Sequence, residues 1–343
     1  MPKPESNKLK LSNLNTHPGW QQQLAQSITQ PAQLLKRLGL DAALFPDISA
    51  AQQQFNLKVP HAYIDKMQMS KADDPLLLQV MTQAVEMHPA PGYSKDPVGD
   101  LAASKTPGLL HKYHGRVLLI TTAVCAVHCR YCFRRHFPYS EKHAGRDQWA
   151  QAIDYIRQDN SIKEVILSGG DPLVLSDEKL DTLITQLECI PHLSRLRLHS
   201  RLPVVLPDRI TKKLINRLAS TRFNVCLVIH ANHVSEITEI EITALKKLQC
   251  AGIHLLNQAV LLKGINEQAE AQIALCERLY CAGVLPYYLH LLDPVQGAAH
   301  FDVSLKQATE LIAQMRKRLP GFLVPRLVRE ISGEMSKVPA NEL

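Results

Sequence analysis

Three cysteines stand close together in the sequence, at Cys125, Cys129 and Cys132, directly after the apolar run 117–120. No fourth cysteine lies nearby, since the next one is Cys189. A [4Fe–4S] cluster normally takes four cysteine ligands, so three thiolates around one small volume leave one iron open. An open iron can hold a small molecule and pass it an electron. The spacing therefore predicts a redox-active iron–sulfur centre with a binding position.

A zinc site is the alternative that the same cysteines leave open. Structural zinc normally takes four protein ligands, so the three thiolates would need a histidine such as His128 or His136. A non-enzymatic zinc module would then be the function. The ligand count favours the cluster.

The chain's composition limits the classes of protein to consider. Its 343 residues are 45% hydrophobic and 21% charged, as in ordinary globular proteins, and they suffice for one large domain with a smaller region. No apolar run approaches a membrane span, and residues 1–13 are too polar for a secretory signal. The net charge of +7 comes without a basic run interleaved with aromatics, so we expect neither a nucleic-acid nor a membrane partner.

Eight cysteines without a paired pattern fit a reducing cytosol and predict a cytoplasmic protein. Those outside the motif fall in apolar segments, where cysteine behaves as a small buried hydrophobe. We expect this of Cys189, Cys226, Cys250, Cys276 and Cys281.

Strands and helices alternate from residue 112 onward. The predicted strands are 117–122, 164–168, 195–200, 224–230, 254–260 and 286–292. The predicted helices are 147–158, 177–187, 209–218, 236–248, 267–281 and 305–318. This alternation predicts an α/β fold with a parallel sheet. Six units are too few for an eight-stranded barrel, so we expect a partial (βα)6 barrel, with the cysteine loop at the carboxyl ends of the strands, where sites lie.

The regions around this barrel are less regular. Residues 1–105 are predicted to form a mostly helical cap, with one helix from Pro31 to the terminating Gly39 and another from Asp74 through Val85. Prolines between residues 89 and 107 indicate a connection. We therefore predict a cap at 1–105, a barrel at 106–320 and a C-terminal segment at 321–343.

Two further constellations lie near the cysteines in the predicted fold. Gly169, Gly170 and Asp171 follow the second strand, where glycines let the backbone approach a ligand, although a plain turn is the alternative. Arg134 follows the cysteines and has a guanidinium that can bind a carboxylate through two parallel hydrogen bonds. A solvated basic loop is its alternative.

Other candidates lie at strand ends and near the C-terminus. Asp293 ends the sixth strand, as a ligand-binding acid or as a helix cap. Tyr113 and Arg116 precede the first strand, where they would engage a phosphorylated cofactor or simply begin the strand. Lys337 is either a solvated lysine or, if burial lowers its pKa, a Schiff-base nucleophile.

The cysteine motif, with Tyr131 before its last cysteine, resembles the signature of the radical S-adenosylmethionine (SAM) enzymes, in which SAM chelates the open iron. From about residue 112 to 337 the chain resembles the lysine 2,3-aminomutase family of these enzymes. That family combines a [4Fe–4S] cluster and SAM with pyridoxal 5′-phosphate (PLP). The resemblance implies a partial radical SAM barrel and an isomerase that converts (S)-α-lysine to (R)-β-lysine by moving the amino group from C2 to C3.

The resemblance also implies roles for individual residues. Cys125, Cys129 and Cys132 match the cluster ligands. Arg134 matches the arginine that binds the substrate carboxylate, and Asp293 one of two acids that bind the substrate ε-ammonium.

Other matches concern the cofactors. Tyr113 and Arg116 match contacts to PLP, and Lys337 matches the lysine that holds it covalently. The SAM glycine motif falls on Gly169, Gly170 and Asp171, and the strand-end positions that line the SAM and PLP pocket fall on His230 and Gln258.

The chain departs from the family pattern at two places. Glu330 stands where the second substrate-binding acid is an aspartate, and it is one methylene longer. The glycine-rich run before the PLP lysine is reduced to Gly333. In longer members of the family, a cysteine-bearing extension after the PLP lysine binds zinc between subunits and links them into tetramers. We do not expect such an extension after Lys337, and we expect a homodimer instead.

The segments Pro138-Tyr139 and 292–301 resemble the branch of the family that supplies (R)-β-lysine for modification of elongation factor P. The resemblance implies a functional link to elongation factor P and its lysyl ligase. A catabolic lysine 2,3-aminomutase and a radical SAM enzyme without PLP, for example one acting on RNA, are the alternatives.

Overall fold

The strands form one sheet in which neighbours in the sequence are neighbours in space. The computed structural model describes residues 19–139 and 146–342, and in this part of the chain the sheet has ten strands. They are β1 Ser104–Thr106, β2 Leu109–Tyr113, β3 Arg116–Thr122, β4 Glu164–Gly169, β5 Arg195–Ser200, β6 Asn224–Ile229, β7 His254–Val260, β8 Leu285–His290, β9 Arg326–Arg329 and β10 Val338–Pro339.

Strands β3 to β9 are parallel, while β1, β2 and β10 pair antiparallel at the two edges. The sheet does not close on itself in the described residues, because its order begins at β1 and ends at β10. The predicted α/β fold with a partial barrel is confirmed. The six predicted strands correspond to β3 through β8, and the edge strands were not predicted.

Helices connect the parallel strands and precede the sheet. The described helices are α1 Trp20–Ala25, α2 Pro31–Leu38, α3 Ser49–Gln54, α4 His61–Ile64, α5 Pro75–Leu78, α6 Arg146–Gln158, α7 Asp177–Glu188, α8 Leu202–Val205, α9 Lys212–Ser220, α10 Glu239–Cys250, α11 Ala269–Cys281 and α12 Leu305–Arg318. None of the described helices has the length and apolar character needed to cross a membrane. The polar stretch 1–13 lies outside the described residues.

Side chains alternate between the two faces of the sheet. On β5, Leu196 and Leu198 are buried in the main hydrophobic core, which also holds residues of the outer helices. Arg197 and His199 alternate with these leucines along the strand and therefore point to the opposite face. The inner face of the partial barrel thus carries polar groups, while the apolar face stabilises the sheet against the helices.

Two sequence-based expectations about helices and cysteines were wrong. The helix expected from Asp74 through Val85 ends at Leu78, and a 3₁₀ turn follows at Ala84–Met87. Val80 and Met81 are fully buried without being helical, so their apolar spacing reflects burial rather than a helix. The cysteines outside the motif also differ from expectation: Cys276 is buried and Cys226 half-buried, whereas Cys189, Cys250 and Cys281 are exposed at helix ends.

The N-terminal region holds the cysteine loop through a buried carboxylate. Glu86 is fully buried and pairs with both Arg130 and Arg135, which flank the end of the cysteine motif. The Arg130 guanidinium also donates to the Phe55 carbonyl at 2.7 Å, and both guanidinium groups lie 4.8 Å from the Phe55 ring centre. Cations are costly to bury without a partner, so this one carboxylate offsets the desolvation of two.

Replacing Glu86 with Ala should destabilise the protein by about 3–5 kcal/mol, because two buried arginines lose their counter-charge. Chemical unfolding measures the change. The matched control is Asp65→Ala at the exposed pair with Arg37, where we expect a loss of at most about 1 kcal/mol. Equal losses in the two variants would contradict the buried-charge explanation.

Candidate active site

The cysteine loop leaves the carboxyl end of β3 and packs directly on the end of β4. The Gly170 amide donates to the Thr122 carbonyl at 2.8 Å, and the Asp171 amide donates to the Val124 carbonyl at 2.9 Å. A Cβ at Gly170 would lie 2.4 Å from the Val124 carbonyl oxygen. The two chains approach so closely that only glycine fits, and Gly170 thereby sets the position of Cys125 next along the loop.

Residues of the N-terminal region hold the loop from the other side. The Lys58 ammonium donates to the Cys125 carbonyl at 2.9 Å, and the His128 amide donates to the Lys58 carbonyl at 3.0 Å. The His128 Nδ1 lies 2.8 Å from the Asn56 carbonyl oxygen. The loop is therefore fixed between β4 and the chain around residue 58.

The three thiols form a donor set that suits a cluster. Burial, and after it the nearby Cys129, raises the pKa of Cys132 to about 11. Burial, then Cys132, also raises the pKa of Cys125. The cysteines are thus close enough to interact, and their thiolates need a strong cationic partner. Iron supplies that charge when the cluster binds.

The described residues contain no group of three His, Cys, Asp or Glu side chains gathered around a single metal position. In a cluster each cysteine binds a different iron, so the sulfurs stand further apart than around one zinc ion. The two histidines of the zinc alternative are engaged elsewhere: His128 with Asn56, and His136 Nε2 with the Gln296 carbonyl at 3.0 Å. The arrangement fits a cluster better than a mononuclear site.

Asp171, expected in the SAM motif, uses its carboxylate for structure. It accepts from the Ser200 hydroxyl at 2.7 Å, the Arg201 amide at 2.8 Å and the Leu173 amide at 3.0 Å. These bonds join the carboxyl end of β4 to that of β5. The assigned SAM-binding role of this segment therefore rests on the backbone near Gly169, whose carbonyl accepts from the Tyr139 hydroxyl at 2.7 Å.

The inner face of the sheet carries a row of histidines. The Gln258 amide nitrogen lies 3.0 Å from His230 Nε2, and burial lowers the pKa of His230 to about 3. Burial also lowers the pKa of His199 and of His290 well below the ordinary value, so all three are neutral near pH 7.

The Nε2 atoms of His199 and His290 are buried without a hydrogen-bond partner. Buried polar atoms without partners are typical of a ligand-binding site that holds no ligand. We call the space on the inner face of the sheet, lined by His199, His230 and His290, the chamber. The sequence analysis missed both histidines. The period-two alternation that places Leu198 in the core would have placed His199 in the chamber.

Alternating positive and negative side chains connect Arg134, assigned to the substrate carboxylate, with Glu330, assigned to the substrate ammonium. Arg134 Nε donates to Asp100 at 2.6 Å, and Asp100 lies 2.6 Å from the Lys112 ammonium. Lys112 lies 2.8 Å from one oxygen of Glu330, and Lys337 lies 2.7 Å from the other. No motif in the sequence indicates a role for Asp100 or Lys112. Asp100 lies in the stretch that the sequence analysis interpreted as a connection.

The two acids assigned to the substrate ammonium differ in charge state. Burial alone would raise the pKa of Glu330, but Lys337 and Lys112 hold it well below its ordinary value. Burial raises the pKa of Asp293 to about 7, and one of its oxygens, Oδ1, is buried with no hydrogen-bond partner. Within the described residues, Asp293 Oδ1 is therefore an oxygen that no donor or cation engages.

The residues assigned to PLP lie around Lys337. The Lys337 side chain is only 21% exposed, so it is not a solvated tail. Its ammonium lies 5.9 Å from the Tyr288 ring centre. Tyr113 hydrogen-bonds Glu330, which also binds Lys337, and the Arg116 guanidinium stacks 4.7 Å from the Tyr113 ring centre. An amine, a phenol and a guanidinium are the groups that an aldehyde with a phosphate would use.

Replacing Gly170 with Ala should displace Val124 and with it Cys125, because the added Cβ has no room. We expect the anaerobically reconstituted variant to lose most of its iron and sulfide, measured per chain. Gly321→Ala is the matched control, since nothing lies within 4 Å of a Cβ there, and it should retain full content. Normal iron content in the Gly170 variant would refute the positioning role.

Known proteins resemble this chain over most of its length. The model of the radical SAM superfamily matches residues 119–275. The chain is 47% identical over 329 residues to the L-lysine 2,3-aminomutase of Escherichia coli (strain K12), covering 95% of this chain and 96% of that protein. It is 47% identical over 318 residues to the L-lysine 2,3-aminomutase of Haemophilus influenzae, covering 93% and 94%.

A longer relative matches less closely. The L-lysine 2,3-aminomutase of Clostridium subterminale is 35% identical over 321 residues, covering 93% of this chain and 77% of that protein. With these relatives covered over most of their length, the chain belongs to the lysine 2,3-aminomutase family of radical SAM enzymes, and it is an isomerase whose cofactors are a [4Fe–4S] cluster, SAM and PLP.

Proposed function

We propose that this enzyme converts (S)-α-lysine to (R)-β-lysine, which then serves the modification of elongation factor P. The observation that carries the proposal is the buried Asp293 carboxylate, whose Oδ1 has no partner and which faces the same chamber as Lys337. A buried carboxylate oxygen without a partner, beside the lysine assigned to PLP, is suited to bind the cationic end of lysine.

Arg134 would bind the substrate carboxylate. Its Nε donates to Asp100 and its Nη1 contacts the Ser168 hydroxyl at 3.4 Å, which uses two of the five N–H donors of a guanidinium. Asp100 holds the guanidinium in orientation while donors remain for a carboxylate. A desolvated arginine–carboxylate pair is strong and directional, so it would fix one end of the substrate.

Asp293 and Glu330 would bind the ε-ammonium. The Lys337 ammonium on Glu330 supports this role, because it demonstrates that an ammonium fits against that carboxylate. With PLP bound, the Lys337 nitrogen would be engaged with the cofactor, and one Glu330 oxygen would become available to the substrate. Two acids select a cationic side chain over neutral or acidic ones.

The cofactors would be held by the remaining candidates. Lys337, Tyr113 and Arg116 would hold PLP, and the backbone at 169–171 would hold SAM together with His230 and Gln258. Cys125, Cys129 and Cys132 would ligate the cluster. The bound cofactors supply the radical and the carrier for the migrating amino group, while the chain orients lysine and excludes water.

Two observations support the link to elongation factor P and its lysyl ligase over a catabolic role. The segments Pro138-Tyr139 and 292–301 resemble that branch of the family. The chain also matches relatives of similar length at 47% identity, against 35% for the longer Clostridium enzyme. A radical SAM enzyme without PLP does not fit the lysine 2,3-aminomutase family to which the chain belongs.

We also propose a cytoplasmic location, a homodimer, and the division into a cap at 1–105, a barrel at 106–320 and a C-terminal segment at 321–343. All eight cysteines are free, which suits a reducing compartment. The contacts of Phe55, Lys58 and Glu86 with the cysteine loop support a cap that serves the barrel.

Anaerobic incubation with (S)-α-lysine, SAM, PLP and a reductant tests the activity. We expect (R)-β-lysine, identified by chiral chromatography, and no product when either SAM or PLP is omitted. Formation of product without PLP, or of (S)-β-lysine, would contradict the proposal. Lysine attached to a peptide through its α-carboxyl group, tested in parallel, should not react, because it has no free α-carboxylate to bind the buried Arg134.

Replacement of Lys337 tests whether this lysine binds PLP. Lys337→Ala should lose the visible absorbance of protein-bound PLP and form no β-lysine. Lys317→Ala, on the last turn of α12, should behave as the parent enzyme. An unchanged spectrum in the Lys337 variant would reject the assignment.

Lysine binding should depend on the ionisation of Asp293. Its pKa is raised to about 7, so the carboxyl is protonated at lower pH and must lose its proton to bind an ammonium. We expect the Kd for lysine to rise about tenfold per pH unit below 7 and to level off above it. Isothermal titration of PLP-free protein between pH 5.5 and 8 measures this.

Asp293→Asn should weaken lysine binding about 10- to 100-fold at pH 8, because a desolvated cation loses its charged partner. The variant should also lose the pH dependence below 7. If the pH dependence persisted in the variant, another group would be responsible for it.

A further inference from the structure

Arg201 is a buried cation that reaches the cysteine loop from β5. It follows the last residue of that strand, and its side chain is 5% exposed. Its amide donates to Asp171 at 2.8 Å, which ties it to the end of β4. Neither composition nor spacing in the sequence indicates a role for it.

One nitrogen of Arg201 contacts a cysteine of the motif. Nη1 donates to Cys129 Sγ at 2.7 Å and to the Tyr131 hydroxyl at 2.7 Å. Nη2 donates to Gln79 Oε1 at 2.6 Å, to Glu236 Oε2 at 2.9 Å and to the Tyr63 hydroxyl at 3.1 Å. The guanidinium therefore lies between Cys129 and a carboxylate.

Glu236 is fully buried, and its other oxygen, Oε1, also accepts hydrogen bonds. Oε1 accepts from the amides of Asn232 at 2.8 Å and His233 at 3.0 Å, and from the Gln79 amide group at 3.2 Å. These bonds keep the carboxylate on the far side of Arg201. The positive group of the pair is thus the one that faces the sulfur, and the negative group is more distant.

This order of charges matters to an iron–sulfur cluster. Reduction adds an electron, and the potential depends on net charge and on hydrogen bonds to the sulfurs. A nearby cation stabilises the reduced form, and a more distant anion opposes it less strongly. Low polarity around the pair strengthens both effects, since Arg201 and Glu236 are both buried.

We infer that Arg201 is a positioning residue that raises the reduction potential of the cluster by donating a hydrogen bond to Cys129, while Glu236 lowers it. The inference rests on the proposed role of Cys129 as a cluster ligand. Arg201 thus sets how readily the cluster accepts the electron that starts the reaction. Its other bonds, to Tyr131 and Gln79, hold the guanidinium in place for this purpose.

The test compares the midpoint potential of the cluster in Arg201→Gln and Glu236→Gln, using anaerobically reconstituted full-length protein without SAM. Redox titration followed by electron paramagnetic resonance gives the potential. Arg201→Gln should lower the ratio of reduced to oxidised cluster at a fixed potential about tenfold, which is 59 mV for one electron. Glu236→Gln should move the potential upward.

Arg209→Gln is the matched control. Arg209 is also fully buried and pairs with Asp177 at 2.7 Å, and it donates to the carbonyls of Leu173 and Leu175 rather than to a cysteine. Its replacement costs a buried ion pair but should leave the potential unchanged. Iron and sulfide per chain and the melting temperature are measured for every variant, which separates loss of fold from a change in potential.

Opposite shifts in the Arg201 and Glu236 variants distinguish the inference from a purely structural role, which would move both potentials the same way or neither. Equal potentials in Arg201→Gln and the parent would overturn it, as would a downward shift in Glu236→Gln. If Arg201→Gln holds no cluster, the Glu236 variant alone decides. Cys129→Ala tests the underlying assignment separately: full cluster content there would refute the ligand role rather than the tuning role.

Discussion

The position of the cysteine loop depends on one buried carboxylate. Glu86 neutralises Arg130 and Arg135 at once, and both arginines belong to the loop that carries the three cysteines. The N-terminal region therefore does more than cover the barrel, because it supplies the counter-charge without which the loop would bury two unpaired cations. The loop is held from the inside by a glycine contact at Gly170 and from the outside by this charge.

A second buried pair repeats the same physical arrangement beside the cysteines. Arg201 directly follows β5, Glu236 lies in the 3₁₀ turn Val234–Glu236 that follows β6, and Gln79 of the N-terminal region bonds both of them. The region around Cys129 is thus built from three parts of the chain that are far apart in sequence. Each part contributes polar groups that are satisfied only when all three are in place, which makes the site and the fold mutually dependent.

The chamber inside the sheet is polar in a way that suits a charged amino acid. Its charges form a chain from Arg134 through Asp100, Lys112 and Glu330 to Lys337, so most are paired before any substrate binds. Asp293 is the exception among the acids assigned to the substrate, since one of its oxygens has no partner and burial raises its pKa. Neutral histidines line the same face and do not add a competing cation.

The sequence by itself determined the fold class, the six parallel strands and the family, because the alternation of strands with helices and the cysteine spacing can be read along the chain. It also singled out Asp293 and Lys337, which the structure brings into one chamber. Only the tertiary structure decided the partners of these residues: Asp100, Lys112, Glu86 and Arg201 carry no local signal, and they meet their partners across 12 to 218 positions of sequence. A buried charge is stable only beside its counter-charge, and which two charges meet is set by the packing of the sheet and not by their neighbours in the chain.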